Sequence, residues 1–171
     1  MDLAIVLFVQ NHIRAGWMDG FWKFLSFLGD KGLVWIAIGL VCICFPKTRK
    51  AGIWALLVML GCWLFNDYVL KGLAARPRPF VASNLVVPLV MADGYSFPSG
   101  HTCSSFASAF VYWKMLPKPY GAAALLLAAL IAFSRIYVGV HYPLDVLGGI
   151  LVAFLGSSLS MEIRKRKEQF A

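Results

Sequence analysis

The chain has 171 residues, a hydrophobic fraction of 60%, a charged fraction of only 14% and a mean hydropathy of +0.74. A soluble domain of this length needs a polar surface that such a composition cannot supply, so a bilayer is the expected solvent and a single helical domain over residues 1–171 the expected organisation. The net charge of +8 does not indicate a nucleic-acid partner, because Lys and Arg fall between apolar runs and at the C-terminus instead of along one soluble face.

In chain order, Asp2 and a short apolar run from Leu3 to Val9 lack the basic start and small-residue cleavage site of a signal peptide, so these residues are expected to stay. Residues 3–13 and 17–28 mix apolar and polar positions as interfacial helices do, and 1–28 reads as interfacial, with a short first span as the alternative. A spanning helix needs about 20 mostly apolar residues. Residues 27–45, 51–70, 99–116, 120–138 and 143–161 meet or approach that length, which predicts an all-α integral membrane bundle of five transmembrane helices, or six if the N-terminus inserts. Asp30 and Lys31 interrupt the start of the first. Residues 72–98 form the one long connection, rich in Pro and small polar residues, and read as a functional cap; 162–171 is a basic tail. Cys42, Cys44, Cys62 and Cys103 lie in apolar segments without zinc-site spacing and are expected to act as small core hydrophobes.

Orientation follows from the basic residues. Lys47, Arg49 and Lys50 follow the first span, Lys114 and Lys118 sit near the next inner link, and Arg164, Lys165, Arg166 and Lys167 crowd the tail. Five spans place these on one side, which the positive-inside rule makes cytoplasmic, with loop 72–98 and the 138–143 turn outside.

Three clusters gather at the outer ends of the predicted spans: Lys71-x6-Arg78-Pro79, Pro98-Ser99-Gly100-His101 and Ser134-Arg135-x5-His141-x3-Asp145. Charges at membrane depth are costly, so this concentration predicts a polar cavity for an anion, with phosphate the obvious guest. Arg78 and Arg135 offer forked donors and Lys71 a point charge to phosphate oxygens. Ser99 and Gly100 stand at a helix start, where free N–H groups favour an anion. His141 and Asp145 are four residues apart, so in a helical turn the carboxylate can orient the ring and leave its other nitrogen to attack phosphorus. His101 then serves as general acid. Asp67, Asp93 and Asp145 are the only acids between residues 31 and 161, too few for a two-metal site, so neither metal nor cofactor is expected.

In that order and spacing, the clusters resemble the three signature motifs of the type 2 phosphatidic acid phosphatase superfamily, by motif over residues 66–150. The resemblance implies a phosphate site of Lys71, Arg78, Ser99, Gly100 and Arg135, with His141 as nucleophile, Asp145 as its partner and His101 as acid. It further implies metal-independent hydrolysis of a lipid phosphate or diphosphate through a phosphohistidine at the outer face of a bacterial plasma membrane. Length and layout are most similar to the undecaprenyl-diphosphate phosphatases; phosphatidic acid, diacylglycerol diphosphate and phosphatidylglycerophosphate are the alternative substrates. A non-catalytic head-group transporter would use the same cations but has no need of His101, His141 and Asp145, and a phosphotransferase would differ only in its acceptor.

The remaining polar residues have plainer readings. Asp67, one helical turn before Lys71, pairs with or orients it. Ser134 is expected as a hydrogen-bonding neighbour of the site, and Tyr95, Phe97, Tyr137 and Tyr142 as interfacial aromatics. Arg76, inside the variable gap of the first motif, is as easily a snorkelling surface residue as a functional one.

Overall fold

The computed structural model describes residues 1–169; the end of the predicted basic tail, residues 170 and 171, lies outside the described residues. Every regular element among the described residues is helical. Helix α1 (Asp2–Phe8) runs into a π-helical turn (Val9–Ile13), and α2 (Gly16–Leu28) is separated from α3 (Leu33–Cys44) by a tight turn (Asp30–Gly32). Helix α4 (Arg49–Phe65) continues through a π-helical turn (Asn66–Leu70) into α5 (Lys71–Ala74), and α6 (Pro79–Ala82) is one turn within the long connection. Three longer helices complete the chain: α7 (Gly100–Met115), α8 (Lys118–Tyr137) and α9 (Pro143–Gln169).

Arg49–Ala82, Lys118–Tyr137 and Pro143–Arg166 are each long and apolar enough to cross a bilayer, and α2 with α3, bent by 53° at the break between them, makes a fourth such stretch if the pair is one span. The break sits where Asp30 and Lys31 interrupt the apolar run, and residues 17–28 lie on its N-terminal side within α2. Helix α7 is shorter, at 16 residues, and its position explains its composition. It packs against α4, α8 and α9 at the centre of the bundle. Thr102, Ser104, Ser105 and Ser108 are buried there, where small side chains let neighbouring backbones approach. Ser105 also satisfies the indole of buried Trp35, whose Nε1 donates to its Oγ at 2.9 Å. The outward faces of α4, α8 and α9 carry exposed Leu57, Leu60, Leu126, Leu147, Leu151 and Leu155, as a lipid-facing surface requires.

The long connection is fastened down. Gln10 Nε2 donates to the Leu85 carbonyl at 3.0 Å and its Oε1 accepts from the Val87 N–H at 2.8 Å. Arg14 donates from Nη1 to the Val87 carbonyl at 2.7 Å and from Nη2 to the Tyr137 carbonyl at 2.6 Å. The Leu89 N–H donates to the Val138 carbonyl at 2.9 Å. The π-helical turn after α1 and the loop therefore form one layer over the C-terminal end of α8 and the start of α9.

Several sequence expectations change. Tyr137 is fully buried and donates to Asp19 Oδ1 at 2.9 Å, and Tyr142 is buried beneath Arg76, so neither is an interfacial aromatic, whereas Tyr95 is exposed. Cys62 and Cys103 lie in the core as expected, but Cys42 is only half-buried and Cys44 is exposed, because α3 turns that edge outward.

Candidate active site

A cavity of about 390 Å³ opens at the ends of α4, α7 and α8 that meet the long connection. Lys71, Arg78, Gly100, His101, Arg135 and His141 line it, so the structure brings six of the eight sequence-selected residues to one wall. Ser99 and Asp145 stand one layer behind.

Local structure explains each position. Helix α8 ends at Tyr137 with Val138 as its C-cap, and Gly139 takes φ 79°, a left-handed turn that reverses the chain. The N–H groups of Val140 and His141 both reach the Arg135 carbonyl, at 3.2 and 3.3 Å, which fixes His141 beside Arg135. Asp145, in the first turn of α9, accepts the N–H of Tyr142 at 2.8 Å, the reciprocal half of a capping box. The turn so formed brings Asp145 Oδ2 to 3.4 Å from His141 Nδ1. Facing a carboxylate, Nδ1 carries the ring proton, and the lone pair lies on Nε2, 3.3 Å from Arg78 Nη1. Burial pushes the His141 imidazole down to about 3, with the positive charges of Arg135 and Arg78 acting the same way against the opposing Asp145. The ring is neutral at physiological pH and has an electron pair to offer.

Arg78 is held by three backbone carbonyls: Nε donates to Gly94 at 3.0 Å, Nη2 to Asp93 at 2.7 Å and Nη1 to Val140 at 3.1 Å. A guanidinium carries five N–H groups, so donors remain for a guest. Arg135 donates to Ser26 Oγ, and its buried Nε has no acceptor in the protein. Lys71 pairs with Asp67, whose Oδ2 is likewise buried without a partner. A buried unpaired polar atom costs about 1–3 kcal/mol, a penalty that a bound anion would relieve at Arg135. Gly100 opens the wall, since a Cβ there would lie 3.3 Å from Asp67 Oδ2 and 3.7 Å from Lys71 Nζ.

Two residues do not lie as the sequence suggests. The Ser99 hydroxyl caps α7, accepting from the Thr102 N–H at 3.4 Å and the Thr102 hydroxyl at 3.0 Å, and its own N–H donates to the Asp145 carbonyl at 3.0 Å. It positions the helix start and stands behind the cavity wall. Ser134 donates to the Ile131 carbonyl of its own helix at 2.6 Å and is not a neighbour of the cavity.

Asp30 and Ser96 escape sequence reasoning, and for Arg76 the sequence leaves the functional and the snorkelling reading equally open. Asp30 accepts or shares a proton with His101 Nε2 at 2.7 Å. Ser96 donates to Asp145 Oδ2 at 2.5 Å. Arg76 bridges Asp145 Oδ1 at 2.8 Å and Asp2 Oδ2 at 2.5 Å, with its guanidinium carbon 3.8 Å from the Tyr142 ring centroid. The only sequence signal for Asp30 was its cost, an acid in an otherwise apolar run.

Known proteins resemble the chain in sequence and in fold. Residues 51–169 match the family model described as the PAP2 superfamily. The undecaprenyl-diphosphatase of Sulfolobus acidocaldarius is 34% identical over 157 residues, covering 90% of this chain and 74% of that protein. The crystal structure of a transmembrane PAP2 type phosphatidylglycerolphosphate phosphatase from Bacillus subtilis superposes with a TM-score of 0.78 at 31% identity, covering 96% of this chain and 85% of the other. That of Aquifex aeolicus LpxE gives 0.79 at 30% identity, covering 94% of each.

Proposed function

Because the chain belongs to the PAP2 superfamily and is an integral membrane lipid phosphate phosphatase, we propose that it cleaves its substrate without a metal, at the outer membrane face, through a phosphohistidine on His141 Nε2. The observation that carries this reading is the buried His141, with Asp145 on one nitrogen and Arg78 and the cavity on the other.

In the first step Nε2 bonds to the terminal phosphorus as its bond to the leaving oxygen breaks, the alkoxy oxygen of a lipid monophosphate or the bridging oxygen of a diphosphate, and His101 gives that oxygen a proton. Arg78, Arg135 and Lys71 balance the charge on the equatorial oxygens. Water then attacks phosphorus, returns a proton to His101 and releases phosphate and His141.

Undecaprenyl diphosphate is the first choice of substrate, as in the relative from Sulfolobus acidocaldarius, which bears that activity in its name. Phosphatidylglycerophosphate, phosphatidic acid and diacylglycerol diphosphate are the alternatives. Five spans fit best: the bent α2–α3 pair, α4, α7, α8 and α9, with α1 at the interface. Lys47, Arg49 and Lys50 between α3 and α4 then share the cytoplasmic side with Lys114, Lys118 and the tail.

The test is phosphate release by purified protein in detergent and EDTA, with each of the four lipids, for wild type and His141→Ala. Release that survives EDTA in wild type and vanishes in the variant supports the mechanism, and the preferred lipid defines the enzyme. Phosphate release that persists in folded His141→Ala would overturn it.

A further inference from the structure

The break between α2 and α3 is an expensive place for a charged residue, and it is built with care. Lys31 adopts φ 50° and Gly32 φ 74°, both in the left-handed region, so the chain bends by 53° within a few residues. Gly29 packs where no side chain fits: a Cβ there would lie 2.9 Å from His101 Cδ2 and 2.7 Å from an Ile131 methyl. The result is that Asp30 Oδ1 lies 2.7 Å from His101 Nε2, with Asp30 half-exposed at the cavity mouth and His101 largely buried.

We propose that Asp30 is a positioning residue for the proton-transfer step, holding the His101 ring and stabilising its imidazolium, so that the helix break is part of the catalytic apparatus. The proposal rests on the reading of His101 as general acid.

The charges around His101 give the reason such a partner is needed. Arg135 on α8 and Lys71 on α5 both act on the ring, Lys31 adjoins the carboxylate, and the same cations are required to bind phosphate. Asp30 is the carboxylate in contact with the ring, and it balances the charge that an imidazolium adds beside these cations. The imidazolium carries one N–H on Nε2 for Asp30 and one on Nδ1 for the departing oxygen. After transfer the neutral ring stays bonded to Asp30 through Nε2, and Nδ1 accepts the proton of the attacking water, which restores the starting state. The site therefore holds two His–Asp pairs: His141 with Asp145 for the nucleophile, and His101 with Asp30 for the acid.

A leaving-group comparison separates this role from a structural one. An alkyl phosphate leaves as a strongly basic alkoxide and needs the proton, whereas p-nitrophenyl phosphate leaves as a weak base and needs it little. For Asp30→Asn we expect the ratio of kcat/KM for dodecyl phosphate to that for p-nitrophenyl phosphate to fall by roughly tenfold or more. The alkaline limb of the dodecyl phosphate profile should move to lower pH. Asp30→Ala should recover dodecyl phosphate turnover when formate supplies a carboxylate. Equal losses on both substrates, or no loss, would overturn the proposal. Inhibition by inorganic phosphate at the wild-type concentration verifies that the variant's cavity is intact. His101→Ala is the control on the underlying reading. If it shows no leaving-group discrimination, the acid assignment fails and the Asp30 proposal falls with it; discrimination in His101→Ala without discrimination in Asp30→Asn sinks only the latter.

Discussion

Arg76 holds Asp145 across 69 positions of sequence: Nη1 donates to Oδ1 at 2.8 Å, while Nη2 reaches Asp2 at the start of the chain. Asp2 also accepts the Leu144 N–H at 3.2 Å, so the N-terminus, the long connection and the first turn of α9 are joined at the back of His141. Asp145 is fully buried and its two oxygens are divided, Oδ1 to Arg76 and Oδ2 to Ser96, the Tyr142 N–H and His141.

Arg76 thus acts on chemistry through Asp145 without lining the cavity. Arg76→Ala should lower kcat by about tenfold or more, roughly 1.4 kcal/mol of barrier, with KM little changed. Arg76→Lys should recover only part of the loss, because an ammonium cannot fork between two carboxylates as a guanidinium does. A loss confined to KM would place Arg76 on the substrate instead. Asp2→Ala should be milder in the same direction, since Arg76 keeps Asp145.

The neutrality of His141 has a measurable pH signature. Its folded value, about 3, lies below the ordinary 6.5, so between those values the unfolded chain binds a proton that the native state does not. Its contribution to stability is complete above 6.5 and is lost as pH falls toward 3. Thermal unfolding in detergent should show a Tm that drops on acidification through this window, less steeply in His141→Asn. Nitrogen-15 NMR of labelled histidine should find His141 neutral at pH 6 in the ligand-free protein, and a titration centred near 6.5 would refute the burial argument.

The crossing of α9 with α7 sets the distance from Asp145 to the start of α7. A Cβ on Gly149 would lie 2.7 Å from the Ser99 carbonyl oxygen and 3.0 Å from Thr102 Cβ. The first neighbour is backbone and cannot rotate away, so Gly149→Ala should cost about 1–3 kcal/mol of stability and, by parting Ser99 from Asp145, reduce turnover as well. Gly61 has nothing within 4 Å of a Cβ, and Gly61→Ala should leave the Tm within the error of the measurement.

The sequence by itself determined the solvent, the helical class and the cations and histidines that surround the cavity. Bilayer-length apolar runs and contacts within one turn of helix follow from local geometry. Asp67 therefore pairs with Lys71, and Asp145 approaches His141, each at a separation of four. Only the tertiary structure decided which buried charge meets which partner. Asp30 lies 71 positions from His101, Ser26 lies 109 from Arg135 and Ser96 lies 49 from Asp145. No periodicity encodes such pairs, because they depend on where the α2–α3 break and the fastened loop bring separate segments to one depth. The same distinction explains Ser99 and Ser134. A helix start suggested phosphate contact for Ser99 and residue type a place beside the site for Ser134, but the Ser99 N–H is taken by the Asp145 carbonyl and each hydroxyl bonds locally, at a helix cap or to a carbonyl three residues back.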